Sequence, residues 1–217
     1  MRGRSVVEGL KKFAVPSLQS ELFCELTTTT VLERRPQCGA INGSRSDTKG
    51  TMTLDSELIN KVTWKIPNAL ALVGSRSGDE WNAMTTSWIT QVAQEPVLIG
   101  IGVDKESVTH RLINDGGSFT VNLWDASNTR PFVKFSKPAT KDGMTLNGWP
   151  ITEGPSGAPV FEDAIVWMDC VVRNAVDCGS HTFFVGELVG ADINDDEATP
   201  ASMSDTRMKY GGTRRGH

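Results

Sequence analysis

The residue pattern predicts a mainly β fold with short helices, closed or half-closed into a barrel. Three observations carry this expectation. Short apolar runs are bounded by Gly, Pro, Asp or Asn; two long period-two segments flank a turn; and helical periodicity is confined to two short stretches, without the β-α-β rhythm of a doubly wound sheet.

The first fifty residues stand apart from this pattern. They hold eight Lys/Arg against five Asp/Glu, a net of +3, so the rest of the chain, with 14 against 21, carries −7. They include the run Thr27-Thr28-Thr29-Thr30, turn formers over 36–47, and only Phe13 and Phe23 as aromatics. Residues 1–51 are therefore expected to be a disordered extension, followed by one domain over 52–212 and a tail over 213–217. Glu8, Glu21, Glu25 and Glu33 argue against an acid-poor transit peptide, and Met52 offers an alternative start of the reading frame.

Strands are expected at 69–73, 84–92 and 97–103, whose nearly continuous apolar character suits burial on both faces. A helix is expected over 105–114, with Val108, Leu112 and Ile113 on one face, then a strand over 118–123 and a second short helix over 127–136. Residues 137–159 read as a Gly/Pro-rich loop. A long half-buried strand over 164–176 places Ala164, Val166, Met168, Cys170, Val172 and Val176 on one face. The turn chemistry of Asp177-Cys178-Gly179-Ser180 then leads into a strand over 182–193, completing a hairpin.

Composition excludes several function classes. A net charge of −4 and a pI near 5.4 give no footprint for nucleic acid. No apolar run approaches the roughly 20 residues of a membrane span, and the start lacks a secretory signal, so a cytoplasmic protein without a membrane association is expected. Cys24, Cys38, Cys170 and Cys178 form no C-x-x-C pair, which favours reduced thiols and no metal site. Gly100-Ile101-Gly102 is followed by Lys105 where a dinucleotide fingerprint needs a third Gly. Arg76 stands where a nucleophile elbow needs Ser, and Ala158 where Ser156 would need its second Gly.

Three stretches carry candidate chemistry. Asn82-Ala83-Met84-Thr85-Thr86-Ser87-Trp88 combines hydroxyls, suited to a phosphate or polyhydroxyl chain, with flat or apolar neighbours suited to an aromatic ring; an ordinary strand has the same composition. Asp104 to His110 lies at a strand-to-helix junction, where Lys105, Ser107 and Thr109 are placed to hold an anion, or where Asp104 simply caps the helix. Gly179-Ser180-His181-Thr182 sets a titratable imidazole at a strand start. Asp205 to Tyr210 either closes over a site or forms a tail.

In order and spacing these stretches, with Pro96 to Val103, Phe119-Thr120-Val121-Asn122-Leu123 and the ending Asp205-Thr206-Arg207-Met208-Lys209-Tyr210-Gly211-Gly212, resemble flavin reductase-like proteins over about residues 55–212. The resemblance implies an FMN-binding split β-barrel with Greek-key elements, a homodimer, FMN or FAD as cofactor, and NADH or NADPH as hydride donor. It implies an NAD(P)H:flavin oxidoreductase, with a separate monooxygenase as a partner that would take the reduced flavin; a tightly bound flavin carrier and a non-catalytic binding module are the alternatives. By similarity, Met84, Thr85, Thr86, Ser87 and Trp88 line the ring and ribityl chain, with Asn82 opening the stretch. Lys105, Ser107, Thr109 and His110 lie toward the phosphate, Asn122 supports the site from its strand, and His181 is the catalytic candidate near the rings.

Overall fold

The computed structural model describes residues 54–213. The expectations for 1–51 and for 214–217 lie outside the described residues. The first element is a helix the sequence reading did not anticipate, α1 (Ser56–Thr63), capped by Asp55, whose Oδ1 accepts from Leu58 N at 2.7 Å. None of its residues is buried.

Seven strands then make one antiparallel sheet in the order β2 (Glu80–Thr86), β1 (Ala71–Ser77), β5 (Ser118–Leu123), β10 (Val166–Asp177), β11 (His181–Ile193), β4 (Val97–Asp104), β3 (Ile89–Gln94). The β10–β11 hairpin is inserted between β5 and β4, which is the Greek-key element. Laid flat, seven strands would separate their outer members by about 29 Å at about 4.8 Å per strand. Yet β2 and β3 are joined by Ser87 and Trp88 alone, a link reaching at most about 11 Å. The sheet must therefore curl until its edges meet at this corner. No ladder connects β2 to β3 among the described residues, which leaves the barrel split there.

This corner corrects the single strand expected over 84–92. The run is two strands on opposite edges of the sheet, and Thr86-Ser87-Trp88-Ile89 holds no Gly, Pro, Asn or Asp. It also corrects the expected two-sided burial: Thr90, Gln91 and Val92 are exposed because β3 is an edge.

β1 is the strand that does bury both faces. Leu70, just before it, and Leu72 join Trp81, Trp124, Phe132, Phe135 and Phe161 in one apolar cluster, while Ala71 and Val73 join Ile99, Ile101, Phe119, Val121 and Phe184 in the other. The second cluster draws on five strands of the curled sheet and fills its interior. The first lies on the opposite face, under α3 (Arg130–Lys134) and a small sheet of β6 (Lys141–Asp142), β7 (Thr145–Leu146), β8 (Trp149–Glu153) and β9 (Pro159–Phe161). Residues 137–159, expected as a loop, thus carry most of this sheet, because Leu146 and Ile151 bury against the first cluster.

α2 (Val108–Gly116) begins later than expected, since its cap is Ser107 rather than Asp104: Ser107 Oγ accepts from His110 N at 3.1 Å. Asp104 Oδ1 instead accepts from Glu106 N at 3.0 Å. The helix ends on Gly117 at φ 71°, a left-handed position that favours glycine. The period-two face expected over 164–176 is broken by register shifts at Asp169/Cys170 and Val172/Asn174, so Asp169 and Cys170 are both buried while Val176 is exposed. The 177–180 turn forms as anticipated, with Cys178 N donating to His181 O at 2.9 Å. Cys170 and Cys178 are free thiols; Cys24 and Cys38 lie outside the described residues.

Candidate functional site

The corner where the barrel is split gathers part of the expected site. Thr85 Oγ1 donates to Phe132 O at 2.7 Å, and Thr86 Oγ1 accepts from Trp88 N at 3.4 Å. Ser87 is different: its Oγ is buried without any hydrogen-bond partner. A buried hydroxyl left unmet costs about 1–3 kcal/mol, so such a group calls for a ligand, a water or another explanation. Ser87 borders a cavity of about 160 Å³ whose wall mixes Thr85, Thr86 and Tyr210 with Leu70, Met203 and Met208. Hydroxyls set in an apolar wall suit the polar edge of a flat ring. The other unmet buried atom among the described residues, Trp124 Nε1, lies in the first apolar cluster.

Trp88 continues the corner as an aromatic platform. Gly102 faces it, and a Cβ there would come within 3.0 Å of Trp88 Cε3, so the indole packs where no side chain competes. Its ring lies 4.7 Å from His181 and 5.1 Å from Tyr210, centroid to centroid. His181 Nε2 is 2.8 Å from Tyr210 Oη and Nδ1 is 2.9 Å from Ser180 Oγ. Trp88, His181 and Tyr210 line a second cavity, of about 360 Å³, together with Asn60, Trp64 and Asp104.

Tyr210 reaches this place because the C-terminal segment is tied down on both sides of it. Ala201 N donates to Trp124 O at 2.8 Å and Met203 N to Asn68 O at 3.1 Å; beyond Tyr210, Trp64 Nε1 donates to Gly211 O at 3.2 Å and Thr213 N to Asn60 Oδ1 at 2.8 Å. Of the two readings of 205–210, closure over a cavity is the one observed. The site residues not selected from sequence are Asn60, Trp64 and Tyr210. The available signal was that Tyr210 is the chain's single tyrosine, placed directly before Gly211-Gly212.

The remaining candidates are held by other contacts. Asn82 Nδ2 donates to Thr109 Oγ1 at 2.8 Å and its Oδ1 accepts from Ala139 N at 2.6 Å. Asn122, fully buried on β5, donates to Leu72 O and Thr120 Oγ1 and accepts from Phe161 N at 3.0 Å. Met84 packs against the interior cluster. Lys105 Nζ meets Asp177 at 2.6 Å, and this contact, ahead of the bond from Gly179 N, holds the Asp177 carboxyl below its usual range.

His110 Nε2 is 2.7 Å from Thr182 Oγ1, and Nδ1 is 3.4 Å from the Asn114 amide. Burial first, and then the Lys105 charge, lowers its imidazole pKa against an opposing pull from Asp104. The neutral ring is favoured, with Nδ1 accepting from the amide and Nε2 donating to the hydroxyl. The structure therefore brings Thr85, Thr86, Ser87, Trp88 and His181 together, places Lys105, Ser107, Thr109 and His110 along the adjoining β4–α2 junction, and leaves Asn122 behind the corner.

Comparison with known proteins converges on this architecture. The NADH-dependent FAD reductase of Streptomyces globisporus is 29% identical over 140 residues, covering 63% of this chain and 76% of that protein. The S. globisporus C-1027 NADH:FAD oxidoreductase SgcE6 superposes with a TM-score of 0.62 at 22% identity, covering 79% of this chain and 95% of that one. BorF, the flavin reductase component of a bacterial two-component tryptophan halogenase, superposes with a TM-score of 0.58 at 28% identity, covering 65% and 89%. The chain also matches diflavin flavoproteins of Nostoc, of which it spans about a quarter of the length. The model of the flavin reductase like domain matches residues 64–212, from Trp64 of the second cavity to Gly212 of the C-terminal segment, and the chain belongs to that family.

Proposed function

We propose that this domain binds FMN or FAD at the β2–β3 corner and serves as an NAD(P)H:flavin oxidoreductase. The observation that carries the reading is the buried, unpartnered hydroxyl of Ser87, a residue that borders a cavity beside an aromatic platform in a chain of this family. A bound flavin supplies the hydride chemistry, accepting from a reduced nicotinamide. The protein's own work is to seat and orient. Ser87 and the adjacent Thr85 and Thr86 meet polar ring and ribityl atoms, while Met84 and Trp88 give the apolar and flat surface.

Lys105, Ser107, Thr109 and His110 are assigned to the phosphate side at the start of α2, where backbone N–H groups favour an anion. Asn82 and Asn122 support the corner through the bonds described above. His181 is the candidate nearest the reacting rings, its imidazole fixed between Ser180 and Tyr210.

The finer assignments extend from the same reading: residues 52–212 as the functional unit, a homodimer, a cytoplasmic location, and delivery of reduced flavin to a monooxygenase. BorF supports the last as a reductase component of a two-component halogenase. Among the described residues no helix is long and apolar enough to cross a membrane. The diflavin relatives favour one alternative, a tightly held flavin that carries electrons within a longer protein.

Purified full-length chain assayed for NADH and NADPH oxidation, alone and with added FMN or FAD, tests the proposal. Oxidation that depends on added flavin is the expected result. A yellow protein that survives dialysis but turns over poorly indicates the carrier. Folded protein that neither binds flavin nor oxidises either nucleotide contradicts both.

A further inference from the structure

The cavity that Ser87 borders is small for a flavin. At about 160 Å³ it has half of the roughly 300 Å³ at which ligand pockets begin. Part of its wall is Met203, Met208 and Tyr210, all from the C-terminal segment. Two larger cavities adjoin the same segment, the one of about 360 Å³ described above and one of about 550 Å³ lined by residues from 64–69 and 202–210. Tyr210 is the one residue in the wall of all three. Moving this segment would join the Ser87 corner to far more space than its own cavity holds.

The two ends of the segment are held differently. On the Met203 side, Ala201 N and Met203 N donate to Trp124 O and Asn68 O, and Asp205 Oδ2 accepts from both the N and the Oγ of Ser202 at 2.8 Å. On the far side the holds are Trp64 Nε1 to Gly211 O and Thr213 N to Asn60 Oδ1. Both come from α1 and its C-cap, a helix that buries none of its residues, so undoing them exposes no core. These holds also need glycine. Gly211 and Gly212 sit at φ 95° and 86°, and a Cβ on Gly212 would collide with Asn60 Oδ1.

We propose that residues 206–213 are a strap over the Ser87 corner, hinged at the Met203–Asp205 turn and latched to α1 by Asn60 and Trp64, which swings away when a flavin enters. A ligand that needs the open form binds with an affinity reduced by the fraction of molecules that are open. Weakening the latch therefore makes flavin binding faster and tighter, the reverse of what losing a flavin contact does. The inference rests on the flavin reading of the corner and adds what controls entry to it.

The test uses the full chain labelled with 13C-tyrosine, whose signals report Tyr210 alone because the chain has one tyrosine. FMN is titrated into the wild-type chain, Asn60→Ala and Gly212→Ala, and its association rate is measured by stopped flow. Neither residue is buried, and thermal melts establish that each variant is folded. The expected result is that FMN shifts the wild-type Tyr210 signals and that both variants show part of this shift before FMN is added. FMN should associate roughly fivefold faster with each variant and its Kd should fall by a similar factor, the size of one lost hydrogen bond. Wild-type chain that binds FMN with its Tyr210 signals unmoved overturns the inference alone, as do variants that bind FMN no faster than the wild-type chain. Absence of FMN binding in all three chains overturns the flavin reading and with it the role of the strap.

Discussion

Asn82 and Ser87 sit on one short stretch of chain, five residues apart, and their side chains have opposite fates. At the Asn82 end, every polar atom of the side chain is matched, and the amide ties α2 to the segment that leads into the small sheet. At the Ser87 end, where the barrel is split, an equally buried hydroxyl has no partner and borders a cavity. On the proposed function, the contrast separates polarity that builds the fold from polarity held ready for a ligand. Asn122 belongs with Asn82: two of its three bonds join β5 to β1 and β9, and the third, to Thr120, lies within β5.

The largest effect should come from the saturated side. Asn122→Ala is expected to destabilise by about 3 kcal/mol, since it takes the acceptor from the buried Phe161 N and removes the side-chain bonds to Leu72 O and Thr120 Oγ1. Urea unfolding measures this, and a loss under about 1 kcal/mol would show that the network is not structural. Ser87→Ala sharpens the comparison from the other side. It breaks no hydrogen bond and removes an unmet buried hydroxyl, so the unliganded chain should gain about 1–3 kcal/mol of stability, while FMN affinity falls roughly tenfold.

His110 gives a smaller, pH-dependent effect. Its folded pKa lies below the ordinary 6.5, so the unfolded chain binds the proton more readily. Its contribution to stability is present above pH 6.5 and is lost as pH falls from there through the lowered folded value. Denaturation midpoints measured from pH 7.5 to 5 should therefore fall less steeply for His110→Gln than for the wild-type chain. The least effect is chemical: burial pushes the Cys170 thiol up to about 12, so native alkylation followed by peptide mapping should label exposed Cys178 and spare Cys170.

The same contrast explains what was legible in the sequence. β4, β5 and the β10–β11 hairpin were readable because apolar runs of strand length end in Gly, Asp or Asn. The break at Ser87-Trp88 was not, because both flanks have strand composition and the break comes from the curvature of the whole sheet. The small sheet within 137–159 consists largely of strands too short to carry a period, and α1 buries no side chain. For the proposed site, residue types single out the Asn82 to Trp88 stretch. Composition could not tell Asn82, whose partners come from Thr109 and Ala139, from Ser87, which has none; that difference depends on distant parts of the chain. Tyr210 was visible only as part of a segment with two readings, since its meeting with His181 is decided by anchors at Trp64 and Asn60.

The most direct test of the central claim is a fluorescence titration of FMN into the wild-type chain and Ser87→Ala, after the variant has been shown to melt no lower than the wild-type chain. The account predicts saturable binding by the wild-type chain and affinity reduced roughly tenfold in the variant, without loss of stability. Equal affinity in the two proteins would contradict the placement of flavin at the split corner, and absence of binding in both would contradict the functional reading itself.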